Sequence, residues 1–205
     1  DAGNETTRVI DASTAFRTHP DWVFGFAELE AGQRERIASA RFVTNPGCWS
    51  TGAIALLRPL ILNGLLPEDY PVTINGISGY TGGGKTMIAQ MEDATREDHI
   101  ASMNFLYALT LKHKHVPEVV HRSGLLREPI FTPNVGRFAQ GMLVSIPLHV
   151  DLMNDASLAA IHHCYHEHYS GQNIVEVVSL KDVAAANRLD PEEMTGTDRM
   201  KLYVC

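Results

Sequence analysis

Residues 45–51, Asn45-Pro46-Gly47-Cys48-Trp49-Ser50-Thr51, join a short strand-like run, Arg41 to Thr44, to a segment with apolar residues at helical spacing. In that segment, Gly52 to Asn63, the apolar positions are Ile54, Leu57, Leu60 and Ile61, and Gly64 closes the pattern. Strand, turn tripeptide and helix in this order put Cys48 where the helix begins. The first N–H groups of a helix have no partner inside it, and the macrodipole is positive at that end. Both features favour a thiolate over a thiol. The same N–H groups can stabilise an oxyanion on a carbon that the sulfur attacks. The competing reading is a buried cysteine that packs as a small hydrophobe. That reading is the commoner one for an intracellular cysteine; the turn, the helix start and the neighbouring Ser50 and Thr51 narrow the gap without closing it.

Upstream of this turn, Arg8-Val9-Ile10-Asp11-Ala12 reads as a buried strand, followed by a loop rich in Thr, Pro and aromatics and a polar helix over Glu28 to Ala40. These first 45 residues look like the tail of a domain. Downstream, Pro71 to Ile77 alternates as a strand and Ser78 to Lys85 is a glycine-rich loop. Further strands are expected at Phe105 to Thr110, Ile130 to Thr132, Gly141 to Leu148 and Asn173 to Ser179. A helix is expected over Ser157 to Tyr169 and a short one from Lys181. The pattern predicts an α/β (α+β) chain whose mixed sheet is covered by helices. Lys201 to Cys205 reads as a strand cut off at the last residue, and with a strand beginning almost at the first this leads us to expect a fragment.

The composition narrows the function classes. Seventeen Lys and Arg against twenty-four Asp and Glu give a net charge of −7 with no basic block, which argues against a nucleic-acid or anionic-membrane surface. No apolar run is long enough to span a bilayer. Three cysteines, Cys48, Cys164 and Cys205, lie far apart without CxxC spacing, as fits a reducing compartment rather than a disulfide scaffold. The expected location is the cytoplasm, with an organelle left open because a targeting segment would lie ahead of residue 1.

Three other stretches carry chemistry. His113-Lys114-His115 precedes Val116-Pro117-Glu118, so both histidines sit in a loop entering a helix with Pro near its first turn. A loop histidine can take a proton from a thiol and return one to a developing alkoxide; the bland reading is a solvated pair. Ser78-Gly79-Tyr80-Thr81-Gly82-Gly83-Gly84-Lys85 lets backbone approach a phosphate, though it lacks P-loop spacing and such a stretch is more often a mobile connector. His162, His163, Cys164, His166 and His168 crowd one helix, with His162 and His166 a turn apart. No further ligand stands at a spacing that would complete a tetrahedral site, so no metal is expected.

Taken together with these, the blocks Val9 to Arg17, Trp22 to Glu28, Asn45 to Thr51, Ser78 to Lys85, His113 to Glu118 and Gly136 to Gly141 resemble the N-acetyl-gamma-glutamyl-phosphate reductase family in its shorter form. The resemblance implies that residues 1–45 end a Rossmann-type NADP-binding domain. It implies further that residues 46–205 form a glyceraldehyde-3-phosphate-dehydrogenase-like catalytic and dimerisation domain, truncated at its end. It implies that Cys48 forms a thioester and His113 is the acid/base, that Arg17, Tyr107, His115 and Glu118 line the substrate pocket, and that Ser13, Ser78, Gly79, Gly82 and Gly83 approach NADP(H). Arg17 suits a bidentate carboxylate clamp or, equally, a structural ion pair. The implied reaction is NADPH-dependent reduction of N-acetyl-gamma-glutamyl phosphate to the 5-semialdehyde with release of inorganic phosphate, a step of arginine biosynthesis, in a homodimer or homotetramer.

Two departures qualify the likeness. The family commonly reads Tyr-Pro-Thr after the cysteine where this chain has Trp49-Ser50-Thr51, and the family's N-terminal dinucleotide turn and C-terminal segment have no counterpart here. The chain alone is therefore expected to bind NADP poorly. The rival readings are an aspartate-semialdehyde dehydrogenase, with the same cysteine and histidine chemistry on a smaller acyl phosphate, and a non-catalytic binding or oligomerisation module.

Overall fold

The computed structural model describes residues 3–205. In chain order the elements are β1 (Val9–Asp11), β2 (Val23–Phe24), α1 (Gln33–Ser39), β3 (Phe42–Thr44), α2 (Cys48–Leu62), β4 (Thr73–Gly79), a 3-10 turn (Tyr80–Gly83), α3 (Gly84–Glu92) and β5 (Asn104–Leu106). There follow α4 (Val116–Ser123), β6 (Ile130–Gly136), β7 (Met142–Ser145), α5 (Leu158–His168), β8 (Val175–Val177), α6 (Leu180–Ala185) and β9 (Met200–Leu202). They group into two compact units that the chain enters more than once, one holding the residues up to Tyr70 with Lys114–Glu128 and Val150–Gln172, the other holding Pro71–His113, Pro129–His149 and Asn173–Cys205.

In the first unit β3 pairs in parallel with β1 on one side and β2 on the other. β1 is an edge, and Ile10 is 76% exposed where the apolar sequence led us to expect a buried strand. The core belongs to α2, whose Ile54, Ala55, Leu57 and Leu60 are fully buried, with α4 and α5 packed against it. The helix begins at Cys48 as expected, four residues before the apolar spacing becomes evident, and Trp49 and Ser50 of its first turn are buried. Inside α2 stands Pro59, which has no N–H to donate to the carbonyl of Ala55 one turn back. Tyr169 Oη supplies that donor at 2.7 Å, and Tyr165 Oη donates to the next carbonyl, Leu56 O, at 2.6 Å. Burial pushes both phenols up, Tyr169 well above its ordinary value, so both stay protonated donors.

A prediction follows from the pairing. Tyr169→Phe should lower stability by about 1–3 kcal/mol, since it leaves a buried carbonyl without a donor. Pro59→Ala restores the missing N–H, so the second substitution should cost less in that background; a double-mutant cycle by chemical denaturation measures the difference.

In the second unit the four-stranded sheet has the order β5-β6-β4-β7, with β4 and β6 parallel and both outer pairs antiparallel. The expected mixed sheet is present. β8 and β9 form a separate parallel pair. Phe131, Val135 and Ile74 fill the buried side of the sheet. The strand expected over Phe105 to Thr110 stops at Leu106, because Ala108 has φ +54° and Leu111 has φ +59°, a left-handed conformation that no strand residue adopts. The glycine-rich stretch is no loose connector: β4 runs on to Gly79, the 3-10 turn follows, and α3 starts at Gly84. Gly79 is required by close approach, since a Cβ there would lie 2.5 Å from Ala139 O.

Candidate active site

Cys48 is the first residue of α2 and is exposed, while Trp49 and Ser50 on its C-terminal side are buried. The preceding Gly47 is the N-cap in extended conformation, and its carbonyl accepts both the N–H and the hydroxyl of Thr51 at 2.9 Å. The opposite pole of the turn is a carboxylate. Glu118, in the first turn of α4 and 1% exposed, accepts the Gly47 N–H at 2.8 Å on Oε1. Its Oε2 takes the Ser50 hydroxyl at 2.7 Å and Arg17 Nη1 at 3.2 Å. Arg17 is itself buried and donates from Nε to Asn45 O at 3.1 Å and from Nη2 to Ala12 O at 3.3 Å. Its own carbonyl accepts two bonds from Arg122, at 2.9 and 2.6 Å. Burial lowers the pKa of Arg122, and the nearby Glu118 charge partly offsets this.

His115 directly precedes α4 and is buried. Its ring closes on the turn: a Cβ on Gly47 would stand 2.4 Å from His115 Nε2 and 2.5 Å from Arg17 Nη1. Only glycine fits between these two side chains. Gly47→Ala should therefore displace the Cys48 turn, with a stability loss of about 1–3 kcal/mol from overpacking. The rate at which iodoacetamide labels the exposed Cys48 thiol should change with the turn that carries it. Thermal unfolding and labelling rates on the same samples separate the two effects.

In the second unit His113 is half-buried between two rings, Tyr107 at 5.6 Å in an edge arrangement and Phe131 at 5.0 Å. The backbone N–H of Tyr107 bonds Pro133 O at 3.2 Å, which anchors that ring to β6. The segment between Tyr107 and His113 carries exposed Leu109 and Leu111 and the two left-handed residues noted above. In the same unit Ser78 and Gly79 are buried within β4, whereas Gly82 and Gly84 are exposed with open space where a side chain would be. Ser13, in the first unit, is exposed and held in a turn by Asp11, whose Oδ1 accepts the Ser13 N–H at 2.9 Å and its hydroxyl at 2.6 Å.

The histidine-rich helix is α5. His162 and His166 stack at 6.5 Å, His168 Nε2 lies 3.2 Å from Glu28 O, and burial lowers the His168 pKa. Among the described residues no three His, Cys, Asp or Glu side chains come together as a metal site would require. Among them, too, no helix is long and apolar enough to cross a membrane.

Residues 48–205, beginning at the cysteine itself, match the family model of the semialdehyde dehydrogenase dimerisation domain. The chain belongs to the semialdehyde dehydrogenases. Within that family it is 60% identical over 203 residues to the N-acetyl-gamma-glutamyl-phosphate reductases of Brucella ovis and of Brucella suis biovar 1. Each match takes in 98% of this chain and 66% of the relative, so the chain spans just under two thirds of the length of these reductases. The fold is shared with solved aspartate semialdehyde dehydrogenases. That of Vibrio cholerae, isoform II, aligns over 95% of this chain and 61% of its own with a TM-score of 0.69 at 15% identity. That of Candida albicans, solved with NADP, aligns over 91% of this chain and 57% of its own with a TM-score of 0.55 at 13% identity.

Set in a semialdehyde dehydrogenase, the residues singled out from sequence fall into two groups. Cys48, Arg17, His115 and Glu118 converge on one turn in the first unit; Tyr107 and His113 are neighbours in the second, as are Ser78, Gly79, Gly82 and Gly83. Sequence reading did not assign roles to Ser50, Arg122 or Phe131. Ser50 stands two residues from the cysteine, but nothing in the linear chain links it to a carboxylate 68 positions away. Phe131 shows only as one apolar residue of a strand.

Proposed function

We propose that this chain carries the catalytic residues of an NADP-dependent N-acetyl-gamma-glutamyl-phosphate reductase. The carrying observation is Cys48, exposed at the first residue of α2 with the turn before it pinned by a buried carboxylate, in a chain 60% identical to such reductases. The Cys48 sulfur attacks the acyl carbon, phosphate leaves with the electron pair of the broken bond, and the acyl group remains as a thioester. The N-terminal end of α2, the positive pole of the helix dipole, faces negative charge developing at the acyl oxygen. His113 is the acid/base that the family resemblance implies, a side chain able to take up one proton and give back another in the course of acyl transfer. Its ring is steadied for this by Tyr107 and Phe131.

NADPH, when bound, supplies the hydride that reduces the acyl group to the aldehyde level. The residues that fit such a cofactor are Gly82 and Gly84, whose backbone has open space around it, with Gly83 between them. Ser13 is a further candidate from the first unit. Ser78 and Gly79 support the turn from within the sheet. Association of two or more copies is the expected assembly, because the matched family model is a dimerisation domain.

The test is NADPH formation from N-acetylglutamate 5-semialdehyde and phosphate by a full-length polypeptide carrying this chain, assayed beside aspartate semialdehyde. Preference for the N-acetylated substrate is expected. A preference for aspartate semialdehyde would overturn the assignment in favour of the fold relatives, and no activity on either would leave a binding module.

A further inference from the structure

We infer that Glu118, Arg17 and Ser50 form a buried clamp that sets the position of Cys48, with Ser50 a positioning residue of the reaction. This rests on the reading of Cys48 as nucleophile and adds to it the device that aims the sulfur. The clamp touches the chain on both sides of the cysteine: Glu118 holds the Gly47 N–H just before it and the Ser50 hydroxyl just after it. Arg17 bridges the same carboxylate to Asn45 O, so the whole turn from Asn45 to Ser50 is tied to one ion pair. All three side chains are buried, Ser50 completely, while Cys48 between them is exposed.

The choice of groups points to positioning rather than to stability. A buried ion pair contributes little net stability compared with apolar packing of the same volume, so a turn needing only to be stable has no use for it. What a carboxylate with three donors adds is direction, since each hydrogen bond fixes both a distance and an angle. Glu118 also has three of its acceptor positions filled by the protein's own donors, which leaves it poorly placed to bind substrate as the family resemblance implies.

The experiment compares Ser50→Ala, Glu118→Gln and Cys48→Ser in a full-length polypeptide carrying the chain. The readouts are kcat, KM for N-acetylglutamate 5-semialdehyde, and the rate of iodoacetamide labelling of Cys48 relative to Cys205 in the same molecule. The clamp predicts folded variants in which kcat falls about 10-fold for Ser50→Ala and about 100-fold for Glu118→Gln, with KM little changed. The Cys48 to Cys205 labelling ratio should fall in step. Wild-type kcat and labelling in a folded Ser50→Ala would overturn the clamp, and this variant decides alone if Glu118→Gln fails to fold. A raised KM with unchanged kcat in Glu118→Gln would also overturn it, by making Glu118 a substrate contact. Activity surviving in Cys48→Ser would instead sink the nucleophile reading, and the labelling ratio alone would then judge the clamp.

Discussion

Cys48→Ser should abolish reductase turnover, by at least about 1000-fold, while leaving the fold intact. The substitution changes one atom at an exposed position, so no core contact is lost and the clamp beneath it has no reason to change. What is lost is nucleophilicity. A hydroxyl at a helix N-terminus stays protonated near neutral pH, and no thioester can form. Steady-state rates in both directions, with circular dichroism to confirm the fold, check this. Activity within 10-fold of the wild type would mean that the reaction does not pass through the sulfur.

The second large effect is expected at His113. His113→Asn keeps a polar side chain of similar breadth between the Tyr107 and Phe131 rings but can neither take nor return a proton. The loss in kcat should be about 100- to 10,000-fold, the usual range for a positioned general acid/base. A variant that raises KM and keeps kcat would make His113 a binding residue only. Stopped-flow measurement of phosphate release would show which half of the reaction suffers, since acylation needs the proton removed and reduction needs it returned.

The site was legible in sequence as far as its parts are local. Asn45-Pro46-Gly47 breaks the strand, the apolar spacing after Gly52 starts the helix, and the cysteine between them has one place to be. The helix does begin at that cysteine. The partners of the turn were not legible, because Glu118 and Gly47 are 71 residues apart and meet only through the packing of α4 on α2. Arg17 was read with two competing roles, and its guanidinium is spent on Glu118, Asn45 and Ala12 within the protein.

The sheet was legible because alternation and β-branched residues mark β4, β6 and β7. Residues 107–111 were not, since Ala108 and Leu111 hold a left-handed backbone that nothing in those residue types announces. α3 was missed for a related reason. Its first residue is glycine, a poor helix former, and the run of glycines before it hides the apolar Met87, Ile88 and Met91 that follow.

The central claim is a covalent acyl group on Cys48, and trapping it is the most direct test. A full-length polypeptide carrying the chain is mixed with N-acetyl-gamma-glutamyl phosphate without NADPH, quenched in acid and digested for peptide mass spectrometry. An N-acetylglutamyl adduct on the Cys48 peptide, with one phosphate released per modified chain, is the predicted result. Phosphate released with Cys48 unmodified, or an adduct carried by Cys164 or Cys205 instead, would contradict it.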